Sequence, residues 1–172
     1  NNVIEELNKI PAKWEDPYRP IKMGFQSQVD IFENPKKSLN NLKNVIDKEI
    51  QDYYLKYNSS KCLFMQKWPK NYQIKAWHCI YKEHGYQNSH IHPEGWLSGV
   101  IYLKVVPNLG KNEGGIEFNL ASPIFERDSM TKYIHNPKKG DMIFFPSSLF
   151  HKTIPFTTES DRIIKAFDLV PL

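Results

Sequence analysis

Residues Ser89–Leu103 read SHIHPEGWLSGVIYL, with two histidines ahead of a turn and a β-prone run. In an extended chain, side chains two residues apart lie on one face, so His90 and His92 can direct their imidazoles at one metal ion. Pro93-Glu94-Gly95 is typical of a tight turn, with proline in its second position and glycine in its fourth. Leu97–Val106 then predicts a buried strand. We therefore expect a metal site at the end of a strand on a β scaffold.

The composition indicates one globular domain without a nucleic-acid-binding surface. The chain has 172 residues, enough for a hydrophobic core of its own, and we predict a single domain over residues 1–172. Its formal net charge of +4 comes from 20 Lys and only 3 Arg against 19 Asp and Glu. Arginine is the usual reader of phosphates and bases, and no arginine cluster is present, which argues against a nucleic-acid partner.

Cysteine content and hydropathy bear on the location of the protein. The two cysteines, Cys62 and Cys79, have no zinc-type spacing and are too few for a disulfide framework, so we expect reduced thiols in a cytoplasmic protein. No apolar run is long enough to cross a bilayer, and residues 1–10 lack the uncharged core of a signal peptide. We therefore predict no membrane partner.

The first third of the chain predicts an arm, a strand and one helix. Residues 1–20 carry Trp14 and Tyr18 among prolines, and we expect them to pack across the body of the protein through these rings. Residues 21–32 predict an extended segment. Apolar residues recur at three- and four-residue spacing over 39–57, which predicts an amphipathic helix against a sheet, with Ser38 as its N-cap.

The remainder of the chain predicts short strands separated by turn signals. The predicted strands are 74–81, 90–92, 97–106, 115–120, 132–135, 141–145, 151–156 and 162–170. Many short strands with glycine and proline between them are typical of a β-sandwich or barrel.

Two later residues complete a candidate site. His151 follows DMIFFP, a buried-looking strand, and opens the next strand. A third ligand from a neighbouring strand is what a pair of histidines needs to form a facial metal site. Arg162 opens the last apolar strand. An arginine in such a strand needs an anionic partner, because an unpaired buried charge is costly.

Three blocks in this order resemble the 2-oxoglutarate/Fe(II) oxygenases. The blocks are HIHPEGWLSGVIYL, GDMIFFPSSLFHKTIP and RIIKAFD, and the resemblance covers Trp77–Pro171. Within that superfamily it is to the group whose first motif has His-x-His-Pro before Ser-Gly-Val. The resemblance implies a mainly β fold with a flanking helix and a double-stranded β-helix (jelly-roll) core. The core would span residues 73–172, and an N-terminal arm, strand and supporting helix would span residues 1–72.

The resemblance also implies cofactors and residue roles. Fe(II) would be held by a pair on the second core strand together with His151. 2-Oxoglutarate would chelate the iron, and its 5-carboxylate would meet Arg162, with Tyr102 as a second donor. O2 would be consumed as 2-oxoglutarate is converted to succinate and CO2 and a C–H bond of the substrate is hydroxylated. With His90 and His92 as that pair, the catalytic and metal-binding residues would be His90, His92 and His151.

Two departures from the family pattern matter for these roles. The usual metal-binding pair is His-x-Asp or His-x-Glu, whereas the pair here is either His90 with His92 or His92 with Glu94. We favour the two histidines, because Pro93 keeps His92 extended and Glu94 falls third in the turn, where its side chain most easily points to water. In addition, Ile164 stands where many relatives have a serine that binds 2-oxoglutarate.

Two other classes of function are alternatives. One is a cupin-type metalloenzyme that does not use 2-oxoglutarate, and the other is a non-catalytic jelly-roll module for binding or structure. The substrate of an oxygenase could be a free amino acid, a peptidyl side chain such as proline, or another small metabolite. It would be recognised by loops, chiefly Ser122–Met130, the N-terminal arm and the mouth near Trp96, although Trp96 itself is interpreted as a core residue.

Overall fold

The computed structural model describes residues 2–107, 109–125 and 131–172. Its helices are α1 (Asn2–Leu7), α2 (Lys37–Tyr57) and α3 (Leu63–Gln66), and Pro123–Phe125 form a 3-10 turn. Its strands are β1 (Ala12–Trp14), β2 (Ile21–Ser27), β3 (Tyr72–Gln87), β4 (Leu97–Lys104), β5 (Ile116–Asn119), β6 (Lys132–His135), β7 (Met142–Pro146), β8 (Phe150–Thr153) and β9 (Arg162–Pro171). Most of the predicted strands after residue 73 are therefore found close to their predicted bounds. The exceptions are 90–92, β3, which runs to Gln87 where the prediction ends at 81, and β8, which ends at Thr153 where the prediction runs to 156.

Two antiparallel sheets make up the core. The larger sheet has the order β1-β2-β3-β9-β4-β7, and the smaller sheet has the order β6-β5-β8. From β4 onward the chain alternates between them, because β5, β6 and β8 belong to the smaller sheet while β7 and β9 return to the larger one. Buried side chains of both sheets, among them Tyr102 of β4 and Ile116 of β5, pack into one cluster. This is the jelly-roll arrangement, and it confirms the predicted mainly β fold.

Helix α2 covers the outer face of the larger sheet. Its buried residues Leu39, Ile46 and Ile50 pack in a second core cluster with Ile74 of β3 and Phe167 of β9. The apolar stripe predicted over 39–57 is therefore found, and it faces the sheet as predicted. That residues 1–172 form a single domain stays a prediction.

The start of α2 differs from the prediction. The N-cap is Lys36, which makes no side-chain cap hydrogen bond, so the prediction of Ser38 as N-cap is wrong. Ser38 is already inside the helix, and its backbone N–H and that of Leu39 donate to the carboxylate of Glu6, at 3.3 and 3.2 Å. A carboxylate from another helix therefore accepts hydrogen bonds from these free N–H groups. Its negative charge also interacts favourably with the positive end of the helix dipole.

The N-terminal arm packs differently from the prediction. Tyr18 is 91% exposed and does not anchor the arm, whereas Leu7 at the end of α1 is buried in the core cluster below α2. Trp14 makes an edge contact with Phe25 of the neighbouring strand but stays partly exposed. The extended segment predicted over 21–32 ends at Ser27, where β2 ends. An aromatic residue in a polar segment therefore need not be buried.

Strand β9 lies at the centre of the larger sheet, between β3 and β4. Because side chains alternate between faces, Arg162, Ile164, Ala166 and Asp168 share one face of β9. Ile164 and Ala166 belong to the cluster between the two sheets, which places this face inside the jelly roll. The two charged residues therefore lie at the two ends of one interior face.

The other face of β9 buries a lysine between the sheet and α2. Lys165 is 0% exposed, and its ammonium group has no hydrogen-bond partner among the described residues. The ammonium nitrogen lies 5.3 Å from the centre of the Phe32 ring, and His78 is the cross-strand neighbour. Burial lowers the pKa of Lys165 to about 7. The fold therefore carries a charge in its core at neutral and lower pH.

We expect Lys165→Met to stabilise the protein in a pH-dependent way. Lysine in the unfolded chain keeps a pKa near 10.4, so between pH 7 and 10 the unfolded state binds more protons and stability of the wild type rises with pH. The variant should be more stable by about 3–5 kcal/mol at pH 6, and less than half of this gain should remain at pH 9. Urea denaturation at both pH values measures this gain in the free energy of unfolding. Lys48→Met, a substitution at an exposed position, is the control. A variant less stable than the wild type at pH 6 would contradict this expectation.

Candidate metal centre

Backbone hydrogen bonds hold the His90–His92 segment against β8. His90 and His151 exchange both backbone hydrogen bonds, at 3.0 and 3.1 Å, and the N–H of His92 donates to the carbonyl of Ser147 at 2.9 Å. The segment forms an isolated bridge, so the strand predicted over 90–92 is wrong. A turn follows as predicted, because the N–H of Gly95 donates to the carbonyl of His92 at 3.1 Å. Neighbouring backbone therefore positions the two histidines.

Three imidazoles converge where this segment meets β8. His90, His92 and His151 each offer a ring nitrogen, and these three atoms all lie within 4.8 Å of one another. The Nε2 atoms of His90 and His92 are 3.3 Å apart, and the ring centres of His90 and His151 are 4.3 Å apart. The structure thus brings together the three histidines that the sequence analysis favours as metal ligands.

The hydrogen bonds of His90 and His151 show which nitrogen of each ring is free to bind a metal ion. The Nδ1 atom of His90 lies 2.7 Å from the carbonyl oxygen of Asn88, and the Nδ1 atom of His151 lies 3.0 Å from that of Leu149. A carbonyl oxygen can only accept, so each Nδ1 carries the proton and each Nε2 presents a lone pair. Burial lowers the pKa of His90 to about 4 and that of His151 to about 3, which keeps both rings neutral at pH 7. Neutral imidazoles of this kind suit a divalent metal ion.

Glu94 lies apart from the three histidines. Its side chain is 76% exposed, and its carboxylate lies 3.5 Å from the ammonium group of Lys75. It occupies the third position of the turn, as the sequence analysis expects, and it is not part of the histidine cluster. The geometry therefore favours the pair His90 and His92 over the pair His92 and Glu94.

The ring of His92 has a different partner, which the sequence analysis did not identify. Its Nδ1 atom lies 2.7 Å from Oδ1 of Asp168 and 2.9 Å from Oγ of Ser98. The hydroxyl of Ser98 also donates to Asp168 at 2.6 Å and lies 2.8 Å from the hydroxyl of Ser147. The sequence did contain a signal, because Asp168 is a lone acidic residue in the apolar run RIIKAFDLV and a buried carboxylate needs a partner.

Arg162 lies in the interior without a carboxylate partner among the described residues. It is 1% exposed, and its Nε and Nη1 atoms have no hydrogen-bond partner within the described part of the chain. The guanidinium lies 5.0 Å from the centre of the Tyr81 ring and 5.3 Å from that of Tyr102. The hydroxyl of Tyr102 also lacks a hydrogen-bond partner among the same residues. Two unsatisfied N–H groups and a hydroxyl at one buried point suit a carboxylate ligand.

An inner cavity connects the arginine with the histidines. It is lined by Arg162 and Tyr102 and also by His92 and His151. Its volume is about 20 Å³, close to the room that one water needs. The 2-oxoglutarate expected from the sequence is a dianion of five carbons, so lining side chains would need to move for it to bind.

A larger outer cleft also reaches the histidines. Its volume is about 490 Å³, and His90, His92 and Asp168 form part of its wall. Trp77 and Gln87 line both this cleft and the inner cavity. The sequence analysis missed both residues, because a strand tryptophan and a strand glutamine carry no signal of their own.

The segments predicted to recognise the substrate differ in where the structure places them. Tyr18 and Arg19 of the N-terminal arm line the outer cleft, in keeping with the arm's predicted place near the site. Trp96 stacks on Phe64 at 5.4 Å between ring centres and packs against the core, as interpreted from the sequence. Of the predicted loop Ser122–Met130, residues 126–130 lie outside the described residues.

Comparison with known families identifies the class of protein. Residues 75–168 match the family described as "Putative 2OG-Fe(II) oxygenase". This match covers more than half of the chain and includes all three histidines, Arg162 and Tyr102. The chain belongs to this family of 2-oxoglutarate/Fe(II) oxygenases. Membership implies Fe(II) and 2-oxoglutarate as the cofactor and cosubstrate.

Solved structures share the fold at low sequence identity. A prolyl-4-hydroxylase from Pseudomonas putida is 12% identical, with a TM-score of 0.64, 99% of this chain covered and 83% of that chain covered. A prolyl hydroxylase from Trichoplax adhaerens, solved in complex with a hypoxia inducible factor oxygen degradation domain peptide fragment, is 14% identical, with a TM-score of 0.61 and coverage of 98% and 73%. HygX from Streptomyces hygroscopicus, solved with nickel and 2-oxoglutarate bound, is 12% identical, with a TM-score of 0.56 and coverage of 99% and 77%.

Two further findings complete the comparison. No protein of curated function matches this sequence. Within the described ranges, no helix combines the length and the apolar character that crossing a bilayer requires.

Proposed function

We propose that this protein is an Fe(II)- and 2-oxoglutarate-dependent dioxygenase that hydroxylates a C–H bond of a small-molecule or peptidyl substrate and releases succinate and CO2. His90, His92 and His151 are the proposed metal ligands. The observation that carries the proposal is the pairing of two features in one cavity. Two of the three converging histidines, His92 and His151, line the inner cavity. The same cavity is lined by buried Arg162, whose Nε and Nη1 atoms have no hydrogen-bond partner among the described residues.

The residues fit the cosubstrate as well as the metal. Arg162 presents a rigid fork of N–H donors, which matches the geometry of a carboxylate, in an interior with little competing water. Its position between the Tyr81 and Tyr102 rings restricts the guanidinium plane. In this proposal Arg162 binds the 5-carboxylate of 2-oxoglutarate, and the Tyr102 hydroxyl donates a second bond.

The roles of the protein are to hold, orient and shield the reactants. When bound, Fe(II) supplies the activation of O2 that is coupled to decarboxylation of 2-oxoglutarate. The histidines would hold the metal where both spaces meet them, because His92 lines the inner cavity, proposed for the cosubstrate, and the outer cleft, proposed for the substrate. Arg162 is buried, so little water competes for its N–H groups, which strengthens its interaction with an anion.

The outer cleft is the proposed substrate site. It is open to solvent and extends past the histidines to the N-terminal arm, so it can admit a peptidyl side chain such as proline, a free amino acid or another small metabolite. Both cysteines, Cys62 and Cys79, are free thiols, which supports the proposal of a reducing, cytoplasmic location.

Spectroscopic titration of the apo protein tests this function. Fe(II) is added without O2, followed by 2-oxoglutarate, and we expect the weak visible metal-to-ligand band that arises when a keto acid chelates the iron. Succinate release over a panel of peptides and metabolites then identifies substrates. A cupin-type enzyme would bind the metal without this band, and a non-catalytic module would release no succinate with any substrate. Either result would contradict the proposal.

A further inference from the structure

We propose that Asp168 supplies to the metal, through His92, the negative charge that a carboxylate ligand normally supplies in these oxygenases. This inference rests on the proposed function, in which three histidines bind Fe(II). The usual ligand pair of the superfamily is His-x-Asp or His-x-Glu, and His92 stands in the position of that carboxylate. Three neutral imidazoles alone would leave both charges of the metal uncompensated.

The three histidines differ in what holds their Nδ1 atoms. His90 and His151 donate to neutral backbone carbonyls, of Asn88 and Leu149. His92 alone faces a carboxylate, with 2.7 Å between its Nδ1 and Oδ1 of Asp168. A carboxylate that accepts from the outer nitrogen of a ligating imidazole fixes the tautomer and makes the metal-facing nitrogen more basic. The asymmetry therefore singles out His92 as the most electron-rich of the three.

The surroundings of Asp168 hold its carboxylate in place for this role. Asp168 is 8% exposed, and the only ion-pair partner found for it within the described part of the chain is His92. The hydroxyl of Ser98 donates to it at 2.6 Å, and Ser147 lies behind Ser98 in the same chain of hydrogen bonds. Gly95 leaves room for this arrangement, because a Cβ atom there would lie 2.5 Å from Oγ of Ser147 and 3.2 Å from Cγ of Asp168.

Burial makes the charge effective at a distance. The side chains of His92 and Asp168 are 9% and 11% exposed, so little water lies around the pair to screen it. Glu94, the other carboxylate close in sequence to His92, is exposed and paired with Lys75. The charge that the metal experiences should therefore come from Asp168 rather than from Glu94.

Metal titrations of Asp168→Asn test this inference. Asparagine keeps an acceptor oxygen of the same geometry but removes the charge. Co(II) and Fe(II) are titrated anaerobically into apo protein without 2-oxoglutarate, and we expect Asp168→Asn to weaken binding of both about 10- to 100-fold. The matched control is Glu94→Gln, which removes one charge from the same cleft without touching His92 and should leave binding unchanged. Ser98→Ala keeps the charge and deletes one donor, so its effect should be several-fold at most.

The outcomes separate this inference from the proposed function. A wild type that binds neither metal would overturn the proposed function itself. A wild type that binds, with a folded Asp168→Asn variant of equal affinity, would overturn only the role of Asp168. If Glu94→Gln weakens metal binding as much as Asp168→Asn does, the role of Asp168 is also overturned. Metal affinity would then depend on the total charge of the cleft and not on Asp168 in particular.

A second measurement avoids a variant that fails to fold. Nitrogen-15 chemical shifts of histidine in the apo wild type report which ring nitrogen of His92 carries a proton. We expect a proton on Nδ1, facing Asp168, and none on Nε2. The opposite tautomer would contradict the inference, whatever the behaviour of Asp168→Asn.

Discussion

His151→Ala is expected to abolish metal binding and, with it, all conversion of 2-oxoglutarate. His151 is the proposed ligand from the smaller sheet, and the remaining pair comes from a single segment on one side of the metal. Two neutral ligands without the third cannot form a facial site, so iron should be lost rather than bound more weakly by a small factor. Anaerobic Fe(II) titration and succinate release without substrate measure the two effects.

A matched histidine controls for non-specific effects of this substitution. His135 lies on β6 of the same sheet, near Asp141, and is not part of the histidine cluster. His135→Ala should therefore bind Fe(II) as the wild type does. Circular dichroism establishes that both variants are folded. A folded His151→Ala that keeps its metal and its activity would show that the ligand assignment is wrong.

Arg162→Leu is expected to raise the 2-oxoglutarate requirement about 30- to 1000-fold. Leucine removes the guanidinium fork and leaves one end of the dianion unpaired in a buried cavity, at a cost of about 2–4 kcal/mol. Each 1.4 kcal/mol corresponds to a factor of about ten in affinity. The concentration of 2-oxoglutarate that gives half-maximal succinate release measures the change.

Tyr102→Phe provides the graded comparison for Arg162→Leu. It deletes one neutral donor and keeps the ring against the guanidinium, so it should cost only about 1 kcal/mol. Neither residue belongs to the histidine cluster, so Fe(II) affinity without cosubstrate should be unchanged in both variants. A folded Arg162→Leu with the 2-oxoglutarate dependence of the wild type would rule out this binding mode and favour the alternatives that do not use this cosubstrate.

The order of the elements could be predicted from local sequence. Period-two alternation and turn residues are local properties, and they placed most strands of the core near their observed bounds. The stripe of α2 and the turn at Pro93–Gly95 were predicted in the same way. The segment at His90–His92 was not, because its backbone is held by β8 and Ser147 rather than by strand neighbours close in sequence.

Capping and surface contacts could not be predicted, because they join distant segments. The carboxylate of Glu6 binds the start of α2, more than thirty residues away, where a local rule pointed to Ser38. Burial of Leu7 rather than Tyr18 likewise depends on where α1 lies against α2. Local propensity is a weak guide wherever a tertiary partner satisfies the same group.

The sequence by itself determined the fold class and the family, because motif spacing along strands is preserved in the chain. Only the tertiary structure places His90 beside His92 and His151 and Glu94 apart from them, since the direction of a side chain after a turn depends on what packs around it. The same holds for Asp168, which lies 76 residues from His92 in the chain and meets it only because β9 crosses the sheet beside β4. A contact between residues so far apart in the chain leaves no periodic pattern in the sequence. It forms because a buried carboxylate needs a hydrogen-bond donor.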